Sequence, residues 1–289
     1  SDLAASVISS QKNSDLTLTA NNEASSVSAN FNTQTGVSPA AEALADSQVT
    51  VSGNNLLSTA SGNSVSNALN VSATNAPGLN AGLGNSQLIT AASTITANAG
   101  FANALSVSIT AGAVDASALS LNNNTQSAAA KGNTANNNLT VTATNASGLT
   151  QTFGGLFTGV STPSNEALDA NGSNPVLSSA DLALVNAQAN DGSTLVGSFQ
   201  GSSTVTLGAV SGGSNVSVNG NQLMSSGSLN TANNTTSLNI TNMSGMTAGL
   251  SSSQGALDSV ATANTAGDVV LSTGNASEAS SLSLNSNTV

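Results

Sequence analysis

Histidine, cysteine, arginine, tryptophan and tyrosine are all absent from this chain of 289 residues, and phenylalanine occurs five times. Each absence closes a class of chemistry. Without His or Cys there is no imidazole base, no thiolate nucleophile and no soft metal site. A Ser-His-Asp triad cannot be completed, and no G-x-S-x-G elbow occurs. Disulfides cannot be what stabilises the fold. Two Lys cannot neutralise a run of phosphates, so nucleic acid is not an expected partner. The net charge of −11 opposes anionic membrane surfaces. The 13 acidic residues are scattered and lack the Trp and Tyr on which a glycosidase stacks its sugar. The expectation is a protein that is not an enzyme and carries no cofactor.

No apolar run approaches the roughly 18 residues of a membrane span, so membrane insertion is not expected. The chain opens on Ser1 rather than Met, which fits a processed chain whose signal peptide is gone. Charged residues make up 5%, against about a quarter in ordinary globular proteins. Ser, Asn, Thr, Ala and Gly fill most of the rest. Such compositions often mark disorder. Here 38% of residues are hydrophobic, and they recur in register. An ordered chain with an extracellular or cell-surface role is expected.

The register appears as an internal repeat. Ser47 to Leu79, Ser117 to Leu149 and Ser214 to Met246 align without gaps. Val49, Leu119 and Val216 coincide, as do Val51, Leu121 and Val218. Three sets of Asn coincide: Asn54, Asn124 and Asn221; Asn63, Asn133 and Asn230; Asn75, Asn145 and Asn242. In the third copy the second apolar pair, Leu238 and Ile240, lies two places later than Leu69 and Val71. A shift of two keeps the same strand face. The opening phrase also occurs alone at Ser14 to Asn21 and at Ser280 to Asn287.

Each motif reads apolar–polar–apolar, the period of a strand with one buried face. Val, Leu, Ile and Thr fill the motifs, and Asn, Gly and Ser punctuate them. The fold class expected is all-β: a parallel β-helix, or β-solenoid, with Asn-rich corners. An antiparallel β-meander is the alternative, with hairpin turns at Asn54-Asn55 and Gly62-Asn63. The two strand motifs of one unit lie roughly 20 residues apart, which suggests a small coil, about 15 turns and a rod about 70 Å long. The nine aligned Asn are candidates for hydrogen-bonded ladders along the axis. Pro39 to Ser47 is the one candidate for a short helix or loop.

Residues 1–289 read as a single domain with a less regular, Phe-containing stretch at 150–202 (Phe153, Phe157, Phe199). Within it Glu166, Asp169, Asn171 and Ser173 resemble an oxygen-rich calcium loop. Gly172 stands at the fourth place of that run rather than the sixth, and the closing Glu is missing, so a solvated loop is the preferred reading and calcium near Asp169 and Asn171 the minor one. Thr140, Thr142 and Thr144 alternate with apolar residues, as in an ice-binding array. Copy one breaks that array with Asn70 and Ser72, which ranks ice binding below a structural role.

The ends carry no obvious charged or Pro-rich cap, and an open end strand invites addition of another. Leu16 and Leu18 at one end and Leu282 and Leu284 at the other are the candidate polymer contacts. The text "SxVxVxGN … NxLxVxATNxxGL" resembles the secreted bacterial β-strand-repeat surface proteins, which include adhesins and extracellular fibre subunits. That resemblance implies secretion, β-helix structure and a role in fibres, attachment or biofilm. The function expected is a structural protomer of an extracellular filament whose partners are copies of itself. The alternative is a monomeric adhesin that binds a surface glycan or an abiotic surface.

Overall fold

The computed structural model describes residues 3–31, 44–90, 92–100, 104–147 and 181–289. These residues are all-β, and every pairing between their strands is parallel. The chain winds repeatedly through five walls, A to E, and returns to each wall to pair beside its previous pass.

The first circuit runs β1 (Leu3–Ser14), β2 (Thr17–Asn22), β3 (Ser26–Phe31), β4 (Leu44–Ala45), β5 (Gln48–Ser52) and β6 (Asn55–Thr74). The second runs β7 (Leu79–Thr90), β8 (Thr94–Ala99), β9 (Leu105–Ala111), β10 (Val114–Asp115), β11 (Ala118–Asn122) and β12 (Thr125–Ser147). The third runs β13 (Leu182–Asp191), β14 (Thr194–Leu207), β15 (Val210–Ser211), β16 (Asn215–Asn219) and β17 (Gln222–Ser244). The fourth has β18 (Ala248–Leu257), β19 (Val260–Ser272), a bridge from Val210 to Ala276, and β20 (Ser281–Asn285).

Wall A stacks β1, β7, β13 and β18, and wall D stacks β5, β11, β16 and β20. Wall C is the short stack of β4, β10 and β15, and wall E stacks the long strands β6, β12 and β17. Wall B is two strands wide in the first two circuits and one long strand in the last two, because β14 pairs with both β8 and β9. Gly100 sits where that strand is interrupted. Its φ is +80°, and a Cβ there would meet Gln200 O at 1.9 Å, so only glycine fits the step.

The arrangement is compatible with the parallel β-solenoid read from the sequence, and the antiparallel meander is corrected. Asn54 is a corner between β5 and β6, and Gly62-Asn63 lies inside β6 rather than in a hairpin turn. The circuit is also far larger than the expected coil of roughly 20 residues. Equivalent Asn stand 70 residues apart from Asn54 to Asn124, 97 from Asn124 to Asn221 and 66 from Asn221 to Asn287. The short spacing measures the step from wall D to wall E within one circuit, not the return to the same wall. Four strand layers at about 4.8 Å span only about 15 Å along the axis, so the expected rod is instead a shallow, wide stack.

Wall E closes against walls A and B, and the interior divides into compartments along its length. Val107, Ile109, Val114, Leu119 and Leu121 fill the end bounded by walls B, C and D. Ile95, Leu105, Ala128, Ala130 and Phe199 pack between walls B and E. Leu79, Leu83, Leu139, Val141 and Leu184 pack between walls A and E. Of the stretch 150–202, residues 150–180 lie outside the described residues, and 182–202 run as the regular strands β13 and β14. Phe199 is buried in the core there. The candidate helix or loop at 39–47 falls partly outside the described residues, which omit 32–43, and its Leu44-Ala45 is strand β4.

Side chains stack in columns, so position along the axis sets their burial. Val51, Leu121, Val218 and Leu284 form one column of wall D. Leu121 is 0% exposed and Leu284 is 47% exposed. Leu121→Ala is expected to cost about 2–5 kcal/mol in urea unfolding, the usual range for a buried Leu. Leu284→Ala is expected to cost far less; equal losses would contradict the column.

Candidate assembly faces

Between the two apolar compartments of wall E lies a strip of buried amides. Gln87, Asn133, Asn137, Asn186, Gln188 and Asn190 are at most 1% exposed. An unpaired amide at such depth costs on the order of 1–3 kcal/mol, so each must find partners. They find them in two directions. Along the axis, Asn63 Nδ2 donates to Asn133 Oδ1 at 2.8 Å, and Asn133 Nδ2 donates to Asn230 Oδ1 at 2.9 Å. Asn67, Asn137 and Asn234 repeat the pattern at 2.9 and 2.8 Å. Across the interior, Asn133 Nδ2 donates to Ala189 O at 2.8 Å and Gln87 Nε2 donates to Thr134 O at 3.0 Å. The amides therefore join successive circuits and also hold wall A to wall E.

Two further Asn columns stand at the corners. At the turn from wall D to wall E, Asn54 Nδ2 donates to Asn124 Oδ1, Asn124 Nδ2 to Asn221 Oδ1 and Asn221 Nδ2 to Asn287 Oδ1, at 2.9, 2.9 and 3.0 Å. Each backbone N–H of Asn54, Asn124 and Asn221 donates to the same acceptor as its own side chain. At the end of wall E, Asn75, Asn145 and Asn242 have φ of 57°, 53° and 55°, the left-handed conformation that Asn tolerates. Asn145 Nδ2 donates to Asn75 Oδ1 at 2.6 Å, and Asn242 Nδ2 to Asn145 Oδ1 at 2.7 Å.

Sequence reasoning missed a glutamine column in wall A. Gln254 donates to Gln188, Gln188 to Gln87 and Gln87 to Gln11, each Nε2 to Oε1 at 2.7 Å. The signal was present as a recurring triplet: Ser9-Ser10-Gln11, Asn85-Ser86-Gln87, Asn186-Ala187-Gln188 and Ser252-Ser253-Gln254. Asn85 donates to Asn186 at 2.7 Å, but its own Oδ1 is buried without a donor. The residue beside it in the first circuit is Ser9, which carries no amide.

The columns run in opposite senses. The corner column through Asn54 donates toward the fourth circuit, and the glutamine column donates toward the first. Each therefore ends differently on the two faces of the stack. On the face made by the fourth circuit, Asn287 keeps one amide hydrogen beyond its bond to Val218 O, and Gln254 Oε1 has no donor among the described residues. On the face made by the first circuit, Asn54 Oδ1 has no donor among the described residues, and Gln11 keeps one amide hydrogen beyond its bond to Ser64 O. A donor on one face stands at the column position of an acceptor on the other, in both columns.

Apolar side chains are open on the same faces. Leu282 and Leu284 on β20 are 39% and 47% exposed, and Leu250, Val260 and Val270 are exposed on the fourth circuit. Leu16 and Leu18 are half-buried in the first circuit. The four candidate contacts thus lie on opposite faces but on different walls. The first-circuit residues in the column of Leu282 and Leu284 are Val49 and Val51, while Leu18 shares a column with Ile95 and Leu195. Beside the fourth circuit, Leu238, Ile240, Met243 and Met246 with Leu182 line an apolar groove of about 240 Å³ along the outer edge of β17.

Other sequence candidates fall elsewhere. Asp169 and Asn171 lie outside the described residues. The outward positions of wall E read Asn70–Thr140–Ser237, Ser72–Thr142–Asn239 and Thr74–Thr144–Thr241 across the three circuits, a mixed surface rather than a threonine grid. No helix among the described residues is long and apolar enough to cross a membrane.

Asn124→Ala removes the acceptor for Asn54 and the donor to Asn221 and Val51. It is expected to destabilise by about 2–4 kcal/mol, since buried partners are left unmade. The backbone N–H of Asn54 should lose its protection in hydrogen exchange; retained protection would show that the column does not hold it. No family model, curated protein or solved structure matches this chain.

Proposed function

We propose that the chain is a β-solenoid protomer of an extracellular filament, built head to tail as the fourth circuit of one copy receives the first circuit of the next. The observation that carries this reading is the complementarity of the amide columns at the two faces. Continuing each column by one step places the Asn287 amide on Asn54 Oδ1 of the next copy, and that copy's Gln11 amide on Gln254 Oε1. The same step sets Val49 over Leu282 and Val51 over Leu284, continuing the core column of wall D. Contact of like faces would continue none of the columns. Two different faces in repeated contact do not close a ring unless the rotation allows it, and otherwise give a filament.

Supporting this, a parallel strand edge is an open row of N–H and C=O groups, and both end circuits present such edges through walls A to D. Secretion and a role in biofilm or attachment fit the low charge and the Ser/Thr/Asn-rich exterior, and belong to the same proposal.

Purified protein at increasing concentration should form fibres by electron microscopy, with a diffraction spacing of about 4.8 Å along the axis. Leu282→Asp with Leu284→Asp should leave circular dichroism unchanged, because both residues lie on an exposed circuit, and should abolish sedimentable fibres. Deletion of Ser280–Val289 should do the same. A full chain that stays monomeric at all concentrations would sink the reading and favour a monomeric adhesin.

A further inference from the structure

Two pairs of acidic residues on the two faces stand at matching corners. Wall A turns into wall B through a left-handed residue in every circuit: Asp15, Ala92, Gly192 and Asp258, with φ of 54°, 50°, 64° and 47°. Wall C turns into wall D through Asp46, Ala116, Gly212 and Glu278, with φ of 48°, 47°, 65° and 56°. At both corners the interior circuits carry Ala or Gly and the two end circuits carry an acid. The end circuits are thus charged where a sequence reading found no cap.

Within one molecule the acids of a corner are three strand layers apart, about 14 Å, beyond the screening length of physiological salt. In a stacked pair they are one layer apart, about 5 Å. Their neighbours reinforce the charge. Asp191 pairs with Leu257, beside Asp258. The carbonyl of Asp115 accepts the N–H of Asp46. Glu278 Oε2 accepts the N–H of Gly212 at 3.1 Å, which holds its carboxylate at the corner. Lys12, on β1 and exposed, is the nearest cation in sequence to Asp15, and the chain has no histidine to titrate in its place.

We propose that these two acidic corners gate the joint: a second copy of this chain is held off by repulsion between Asp258 and Asp15 and between Glu278 and Asp46, and is admitted when those charges are removed or screened. This inference rests on the head-to-tail filament reading and adds the condition under which it operates. Charges on edge strands are a general means of refusing another strand. Here the left-handed position of each corner carries an acid only in the circuits that meet, so assembly is conditional rather than abolished.

The test compares the wild-type chain with the double substitution Asp258→Asn and Glu278→Gln by sedimentation and light scattering. Both changes keep the side chain's size and remove its charge. At neutral pH and low salt the variant should polymerise at a concentration lower by about tenfold or more, the effect of two like-charge pairs at about 5 Å even in water's dielectric. The difference should vanish in about 1 M NaCl. Asp15→Asn with Asp46→Asn, on the opposite face, should release assembly equally. Wild-type fibres that form as readily as the variant's at every salt concentration would overturn the gate and leave the filament standing. Chains that stay monomeric under all conditions, variants included, while circular dichroism shows intact strand, would overturn both.

Discussion

A buried amide left unpaired on its donor or its acceptor side is costly, and the rest of this structure follows from how the columns avoid that cost. Asn133 and Gln188 each bond along the axis to the same residue type one circuit away and across the interior to the facing wall. The axial bonds fix register between circuits, because a slip of one residue would turn every amide to the other face. The transverse bonds fix the distance between walls A and E. Gly132 shows how close that approach is: a Cβ there would meet Asn190 Oδ1 of wall A at 3.1 Å. Apolar packing flanks the strip on both sides and keeps water from competing for the same bonds.

Stacking like on like solves the interior and creates the ends. An interior circuit has each column satisfied above and below, whereas an end circuit has one side of every column open. Exposure of Leu284 against full burial of Leu121, in one column, is the direct consequence. In walls A and D the same logic makes polar and apolar columns terminate together in the fourth circuit, while wall E ends one circuit earlier at β17. It also explains why the faces differ, since columns that donate in opposite senses leave a donor and an acceptor on each face. Acids at the end corners add charge to surfaces that otherwise present open amides and apolar side chains. The same two circuits thus carry both the open columns and the corner acids.

Much of this is legible in the sequence because the physics is columnar. Val49, Leu119 and Val216 align in the text and pair in space, since equal environments select equal residues. The shift of Leu238 and Ile240 by two places is also real: Leu238 stands beside Val141 and Ile240 beside Ala143, on the same face. The size of the circuit is harder to read. Spacing between successive strand motifs suggests one short turn, although the separation of the aligned copies already holds the true return. Walls differ in strand length, from two residues in β10 to 23 in β12, so no single short period exists to be read. The glutamine column is hidden because its triplets lie outside the aligned copies.

The sequence by itself determined which residues share a column, which of them face inward, and which chemistry is closed to the chain. These follow from alternation and from composition, both local properties. Only the tertiary structure decided that the columns run in opposite senses and that Asp15 and Asp258, or Asp46 and Glu278, occupy equivalent corners of the two ends. Those acids are far apart in sequence and have Ala and Gly at their places in between, so no similarity links them in the text. They become equivalent only because the circuits differ in length and yet their strands return to the same walls. The hydrogen bonds that draw them back are made between circuits, and a linear reading cannot weigh a bond whose partner is a whole circuit away.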